Sequence, residues 1–175
     1  MSINVMHDLE TLDTKDTAVV LSIGAIKFTV DGLFETFYRR LELNDQIRSG
    51  RTISGSTIEW WAQQDVKARA VFSEPAISTE KALLDYADFL STEDCVMWGN
   101  GAMFDNAILL NMYDMYGMPR PWSYRNDRCY RTVLALHKSL YPGFETNTPS
   151  VAHNALADAV AQARTLQKIW NGDQV

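Results

Sequence analysis

The first 43 residues predict three consecutive β-strands, and this constrains the fold more than any other part of the sequence. Segment 3–8 is apolar until its last residues, and segment 18–30 is rich in Val, Ile and Leu. After a turn at Asp31 and Gly32, segment 33–43 alternates in character, as a strand with one exposed face does. Short connections join antiparallel neighbours, so we predict an antiparallel three-stranded meander.

After residue 55 the apolar residues take up helical spacing. The run Ser56-Thr57-Ile58-Glu59 matches a capping box, which predicts a short helix that carries Trp60 and Trp61. Ser78 is predicted to cap a second helix. Segment 95–98 predicts a fourth strand, and further helices are predicted over about residues 104–116, 130–140 and 154–170.

This order of elements predicts an α/β protein with a mixed central sheet flanked by helices. The length of 175 residues fits one domain, 1–175. Cys95 and Cys129 are too few to predict a zinc site or a disulfide framework, so we expect reduced, partly buried thiols.

Composition limits the classes of partner. A net charge of −6 argues against a protein that coats a nucleic-acid duplex, but it leaves open an enzyme that grips only a chain end. No apolar run approaches the roughly 20 residues of a membrane span, and the start of the sequence lacks the basic and apolar stretches of a signal peptide. We therefore expect a cytoplasmic protein with no membrane partner.

Asp8 and Glu10 are two residues apart at the end of the first predicted strand, so both side chains lie on one face. Taken alone, the pair is also compatible with a charged surface that begins a loop. Asp105 falls in the first turn of a predicted helix, where the helix dipole favours a carboxylate for structural reasons alone.

His153 comes before the last predicted helix, and Asp158 lies in the second turn of that helix between two alanines. Aspartate has poor helix propensity there, whereas His153 alone is equally explained as a capping or surface residue. Together, the four carboxylates and the histidine fit phosphoryl chemistry. Carboxylate oxygens suit Mg²⁺ or Mn²⁺, two such ions stabilise the attacking and leaving oxygens, and a neutral histidine takes the proton from water.

In this combination, the sequence resembles the DEDDh subgroup of the DnaQ-like 3′–5′ exonucleases, which have an RNase H-like fold. The resemblance spans about residues 3–166 and covers Asp8-x-Glu10, Asp105 and His153-x4-Asp158. A more specific resemblance is to tailed-phage exonuclease A and related prophage exonucleases. It is carried by residues 56–61, 131–132 and 153–158. Asp13 departs from the family pattern, which has glycine at this position.

The resemblance implies a metal-dependent 3′–5′ exonuclease that releases nucleoside 5′-monophosphates from single-stranded ends. Asp8 would bridge two divalent ions, Mg²⁺ or Mn²⁺, while Glu10 and Asp158 would hold the ion beside the attacking water. Asp105 would support the second ion, and His153 would be the general base. The residues expected to contact substrate are Thr11, Leu12, Trp61, Asn100 and Phe104, with Leu12 wedged against the terminal base.

Neighbouring residues on a helix point about 100° apart, so we expect one of the two tryptophans to pack in the core. The other would form a partly exposed platform for bases, and we assign Trp61 to the cleft. Stacking of this kind contributes about 1–3 kcal/mol per base.

The sequence leaves the sugar of the substrate open. We favour single-stranded DNA 3′ ends as the partner, and RNA trimming of the oligoribonuclease type is the alternative within the enzyme class. A non-catalytic nucleic-acid-binding module of the same fold is an alternative from another class, although such a module needs none of the five site residues. A homodimer is common in this subgroup, but no residue pattern here indicates one.

Overall fold

The computed structural model describes residues 3–91 and 94–172, and its centre is a five-stranded sheet. The strands lie in the order β3-β2-β1-β4-β5. They are β1 (Asn4–Thr11), β2 (Val20–Phe28), β3 (Leu33–Arg40), β4 (Val96–Gly99) and β5 (Asp127–Cys129). The first three pair as the predicted antiparallel meander, and β4 runs parallel to both β1 and β5. The prediction of a mixed sheet is therefore confirmed.

The described residues form seven α-helices and two short 3₁₀ helices. The α-helices are α1 (Leu43–Arg48), α2 (Gly55–Ala62), α3 (Val66–Arg69), α4 (Thr79–Leu90), α5 (Asp105–Met115), α6 (Tyr130–Leu140) and α7 (Ala155–Trp170). The 3₁₀ helices span Ala70–Ser73 and Tyr124–Asn126. No helix in the described part of the chain has the length and apolar character that crossing a membrane requires.

Strand β1 lies in the middle of the sheet and is covered on both faces. Val5 and Leu9 pack with apolar residues of α4 and α5, whereas Met6 packs with residues of α6 and α7. Because successive side chains of a strand point to opposite faces, this arrangement directs Asp8, like Met6, toward α7. The centre of the sheet thus carries a carboxylate under a helix.

Gly24 allows α7 to lie directly on the sheet. A Cβ atom at this position would come within 2.2 Å of the backbone carbon of Ala155, a distance no side chain tolerates. Gly24 is paired with Asp8 across the β1–β2 ladder. The absence of a side chain therefore brings the first turn of α7 next to the strand that carries Asp8.

The structure confirms the predicted cap of α4 and the predicted state of the cysteines, but it contradicts the predicted capping box of α2. Ser78 accepts a hydrogen bond from the Lys81 backbone N–H, which confirms the predicted cap of α4. The predicted capping box was wrong: α2 begins at Gly55, and the N-cap is Ser54, whose side chain makes no capping bond. Its hydroxyl lies 2.8 Å from that of Ser56 instead. Both cysteines are free and at least partly buried, as expected.

Candidate active site

Strand β1 and helix α7 bring three of the four predicted carboxylates together. Asp8, Glu10 and Asp158 each offer an oxygen, and these oxygens all lie within 4.8 Å of one another. The period of two on β1 places the first two on one face. Asp158 lies in the first turn of α7, not the second, because the helix begins at Ala155. Residues from opposite ends of the chain thus form one group of potential metal ligands.

Asp105, the fourth carboxylate, begins α5 and lies beside this group without belonging to it. Its Oδ1 accepts a hydrogen bond from the Leu9 backbone N–H at 3.3 Å, and its buried Oδ2 has no partner. Gly99 makes room for it, since a Cβ there would lie 2.9 Å from the Asp105 Cβ. Among the described residues, Asp105 therefore presents one carboxylate oxygen, Oδ2, that has no hydrogen-bond donor.

Burial and mutual repulsion disturb the ionisation of these carboxyl groups. Burial, then the charges of Asp158 and Asp105, raise the pKa of Glu10 to about 8. Burial raises the pKa of Asp105 to about 7, and that of Asp8 rises well above its ordinary range because of burial and the charges of Asp105, Glu10 and Asp158. Burial also raises the pKa of Asp158, against the opposing influence of His153. The group is therefore electrostatically strained until positive charge enters it.

Gln162 is a member of the site that the sequence analysis missed. Its Nε2 donates to Asp8 Oδ1 at 2.8 Å, while its buried Oε1 lacks a partner. It lies four residues after Asp158 on α7, a spacing that puts both side chains on one helix face. That spacing was the available signal, and the bond fixes the orientation of the Asp8 carboxylate.

His153 reaches the site from the loop before α7. Its backbone has a φ of 59°, in the left-handed region that non-glycine residues seldom adopt. The next residue, Asn154, caps the helix by accepting from the Ala157 N–H at 3.0 Å. Backbone groups of His153 and Asn154 also hydrogen-bond to the carboxylate of Asp158. The predicted histidine and aspartate are thus held together by the start of one helix.

The two tryptophans divide as expected, one buried and one exposed, and Trp61, which we assigned to the cleft, is the buried one. Trp61 is only 2% exposed, and its indole N–H donates to the Thr11 carbonyl at 2.9 Å. Trp60 is 41% exposed, and its ring centroid lies 4.7 Å from that of His153. Trp61 faces inward because its indole N–H finds a buried acceptor on β1, so Trp60 is the one available as a platform.

A cavity of about 350 Å³ opens beside the carboxylates. Its apolar wall includes both tryptophans, Leu9 and Phe104, and its polar wall includes Glu10 and five short polar side chains. Of the residues predicted to contact substrate, Thr11, Trp61 and Phe104 line this cavity. Their contact with substrate stays a prediction, but their position suits one nucleotide at the edge of the acidic group.

Leu12 and Asn100 lie elsewhere than expected. Leu12 is 3% exposed and packs with Val19, Leu21 and Trp61 beneath α2, so it does not face the cavity as a wedge. Its side chain points inward because β1 ends at Thr11 and the chain turns under the helix. Leu9 lines the cavity in its place. Asn100 is outside the cavity wall, and its carbonyl accepts from Arg131 at 2.6 Å.

Asp13, which stands where the family pattern has glycine, fits the loop without special backbone geometry. Among the described non-glycine residues, positive φ is confined to Ser91 and His153. Asp13 Oδ1 accepts from the Thr14 backbone N–H at 2.7 Å, and a bond from the Thr52 side chain lowers its pKa. The carboxylate therefore fastens the loop that forms one wall of the cavity.

A chain of buried hydrogen bonds, called here the buried polar chain, links side chains that neighbour Asp8 and Asp105 in the sequence. Asn106 donates from Nδ2 to Asp127 Oδ1 at 2.9 Å, which leaves its Oδ1 as an acceptor for His7 Nε2 at 3.0 Å. His7 Nδ1 then accepts from the Tyr86 hydroxyl at 2.9 Å. Burial lowers the pKa of His7 to about 4, so the ring is neutral at pH 7. Sequence reasoning missed this chain because its members are far apart in sequence.

With this geometry established, the sequence was compared with known families. A model of the family described as the 3′–5′ exoribonuclease Rv2179c-like domain matches residues 3–170. The chain belongs to this family. The match to the Rv2179c-like family includes β1, α5 and α7, and therefore all five residues predicted to form the site.

The chain is also similar to a phage exodeoxyribonuclease and, in fold, to E. coli exonuclease I. An exodeoxyribonuclease of Enterobacteria phage T4 is 26% identical over 120 residues, which are 60% of this chain and 53% of the phage protein. E. coli exonuclease I in complex with a dT13 oligonucleotide aligns with a TM-score of 0.72 at 15% identity, covering 97% of this chain and 41% of that one. The complex with a dA16 oligonucleotide gives 0.72 at 14% identity, with 98% and 41% covered.

The chain thus spans about half the length of the phage relative and less than half that of exonuclease I. At such low identity, the structural likeness shows the fold, and the predicted RNase H-like architecture is confirmed. The resemblance to DnaQ-like exonucleases is confirmed at the level of the family. The DEDDh subgroup and the likeness to exonuclease A stay predictions.

Proposed function

We propose that this protein is a divalent-metal-dependent 3′–5′ exonuclease that releases nucleoside 5′-monophosphates from single-stranded ends. The observation that carries the proposal is the convergence of Asp8, Glu10 and Asp158 within 4.8 Å at the edge of a cavity of about 350 Å³. Membership of the Rv2179c-like family supports the direction of cleavage.

The residues fit Mg²⁺ or Mn²⁺ for reasons visible in the site itself. The available donors are hard carboxylate oxygens, and the buried Oδ2 of Asp105 lacks any protein partner. The raised pKa values of Glu10 and Asp8 show that the fold pays an electrostatic cost that cations would relieve. Asp8, Glu10 and Asp158 would hold the ions, with Asp105 as the supporting ligand. When bound, two such ions would stabilise the attacking and leaving oxygens of the phosphodiester.

The remaining steps belong to the side chains of the protein. Gln162 keeps Asp8 in one orientation, so the carboxylate does not rotate as substrate enters. The terminal nucleotide would enter between Trp60 and Phe104, with Leu9 and Thr11 beneath it. His153 would accept the proton of the attacking water.

The sugar preference is a separate part of the proposal. The matching family is described as exoribonuclease, whereas the phage relative is called an exodeoxyribonuclease and exonuclease I was crystallised with DNA oligonucleotides. We propose single-stranded DNA as the preferred substrate, because both relatives named in this way act on or bind DNA. RNA trimming is the alternative.

One turnover assay tests all of these points. DNA and RNA oligonucleotides of the same sequence, labelled at the 3′ or the 5′ end, are incubated with Mg²⁺, Mn²⁺ or EDTA. We expect stepwise shortening from the 3′ end, faster on DNA, and none in EDTA or with Asp8→Asn. Faster shortening of RNA would reverse the sugar preference. Binding without cleavage would make the protein a non-catalytic nucleic-acid-binding module, and full activity in EDTA would exclude the metal mechanism.

A further inference from the structure

The exposed indole of Trp60 contacts the histidine proposed as general base. The ring centroids of Trp60 and His153 lie 4.7 Å apart at an interplanar angle of 81°, an edge-to-face contact. Trp60 makes a second such contact with Trp61, at 5.1 Å and 79°. A continuous row of three rings thus leads from the core of the domain to the imidazole.

The position of the His153 ring depends on its surroundings, because its backbone conformation is strained. Its backbone occupies the left-handed region, with a φ of 59°, and such conformations persist only when the surroundings enforce them. The ring contacts that the structure records for it are those with Trp60 and, at 6.3 Å, Trp61. The position of the imidazole therefore depends on the indole beside it.

The other end of the row is fixed to the strand that carries the catalytic carboxylates. The Trp61 N–H donates to the carbonyl of Thr11, which follows Glu10 directly on β1. Trp61 is buried among Leu21 and other core residues, so it has little freedom to move. The row consequently links the ring of His153 to β1, the strand that carries Asp8 and Glu10.

We propose that Trp60 is a positioning residue that holds the imidazole of His153 toward the attacking water. The inference rests on the proposed nuclease function, in which His153 is the general base. Trp60 also lines the cavity, so the same ring lies where a terminal base would stack. A pure stacking platform and a positioning residue predict different kinetics, because a platform acts on substrate binding and a positioning residue acts through His153.

The kinetic test is a double-mutant cycle on single-stranded DNA with Mg²⁺. We expect Trp60→Ala to lower kcat by about 10- to 100-fold, with a smaller change in KM, and Trp60→Phe to recover most of the loss. In the His153→Ala background, Trp60→Ala should lower kcat no further. If Trp60→Ala instead raises KM by the same factor in both backgrounds and leaves kcat unchanged, the ring is only a platform and the proposal is overturned.

A spectroscopic measurement separates the positioning role from the nuclease function. The chain has three histidines, so the ring proton signals of His153 are assignable by comparison with the His153→Ala spectrum. In edge-to-face contact with an indole, these signals should be ring-current shifted, and Trp60→Ala should move them to ordinary values. Unchanged signals in that variant would overturn the proposal, whether or not the wild-type protein cleaves nucleic acid. Absence of turnover in the wild type would overturn the proposed function alone.

Phe34→Ala is the matched control, because Phe34 is an exposed aromatic residue on β3 that does not line the cavity. It should change neither the kinetics nor the histidine signals. Melting temperatures of all variants, measured in parallel, show whether a loss of kcat reflects unfolding. The same loss of kcat in Phe34→Ala would assign the effect of Trp60→Ala to general instability and overturn the proposal.

Discussion

Asp8 and Gly24 lie opposite each other on the antiparallel strands β1 and β2, and the first turn of α7 rests on that glycine. Because Gly24 has no side chain, α7 packs closely on the sheet. The carboxylate of Asp8 therefore lies near Asp158, the proposed metal ligand on α7. The assembly of the site therefore depends on a glycine, which contributes no functional group to it.

Gly24→Ala tests this dependence. The new methyl group would meet the backbone of Ala155 at 2.2 Å, so α7 must move away from the sheet. Overpacking of this kind costs about 1–3 kcal/mol, and it should also weaken Mg²⁺ binding, because Asp158 moves with the helix. Thermal unfolding and calorimetric metal titration provide the measurements. Gly143→Ala is the matched control, since a Cβ there meets nothing within 4 Å. Equal behaviour of the two variants would contradict the prediction.

The free energy of unfolding of the metal-free protein should depend on pH, because burial and acidic neighbours raise the pKa of carboxyl groups in the site. The pKa of Glu10 is raised from 4.5 to about 8 in the folded protein, so the folded state keeps a proton that the unfolded chain has lost. That stabilisation is complete below about pH 4.5 and disappears as the pH rises through 8. Without divalent metal, Glu10→Gln should therefore lose less stability than the wild type between pH 5 and 8.

The measurement is chemical denaturation at a series of pH values, with EDTA and then with saturating Mg²⁺. Mg²⁺ should restore stability to the wild type at pH 8 more than to Glu10→Gln, because the variant has one fewer ligand. Parallel curves for the two proteins in EDTA would mean that Glu10 ionises normally in the fold.

His7→Phe addresses the buried polar chain behind the site. The variant leaves Asn106 Oδ1 and the Tyr86 hydroxyl without their partner, and an unsatisfied buried group costs about 1–3 kcal/mol. The pKa of His7 is lowered to about 4, so wild-type stability should fall as the unfolded chain takes up this proton below pH 6.5. The difference in stability between wild type and His7→Phe should therefore shrink from pH 7 to pH 4. A constant difference over that range would show that His7 titrates normally.

Removal of His153, the proposed general base, should affect turnover far more than binding. We expect His153→Ala to lower kcat by roughly 10²- to 10⁴-fold on single-stranded DNA, with little change in KM. His137→Ala is the control, because His137 lies on α6 and its ring contacts are with Tyr141 and Phe144. Wild-type kcat at pH 7 in the His153 variant would show that this residue is not the general base.

The tryptophan pair offers a test based on stability alone. Trp61→Ala removes a buried ring and its bond to Thr11, and truncation of a core tryptophan costs about 3–5 kcal/mol. Trp60→Ala should cost much less, because 41% of that residue is exposed. Melting temperatures of the two variants are compared directly. A larger loss for Trp60→Ala would mean that the exposed ring, and not the buried one, anchors α2.

The sequence predicted the elements whose signals are local. The meander follows from strand patterns joined by a short turn, and α6 was predicted at its observed bounds, Tyr130–Leu140. Asp8 and Glu10 were identifiable because their spacing on a strand places both side chains on one face, and Asp158 because aspartate has poor propensity in an alanine-rich helix and because it matches the family motif. Strand β5 has only three residues, and so short a segment carries no recognisable period.

Features that depend on distant partners were not predictable in this way. Trp60 and Trp61 have the same chemistry, and only the buried carbonyl of Thr11, 50 residues away, decides which one turns inward. His7 was unremarkable in the sequence because its partners, Tyr86 and Asn106, are 79 and 99 residues away. Tertiary packing decides the orientation and the partners of these side chains, and a local sequence pattern carries no information about it.

During protein synthesis, helix α7 with Asp158 is made after the strand that carries Asp8 and Glu10. Asp8 and its hydrogen-bonding partner Gln162 are 154 residues apart, so β1 is synthesised long before α7. A chain still emerging from the ribosome exposes the carboxylates of β1 without Asp158 or His153 beside them. The proposed nuclease would therefore stay inert until α7 has been made and has docked on the sheet.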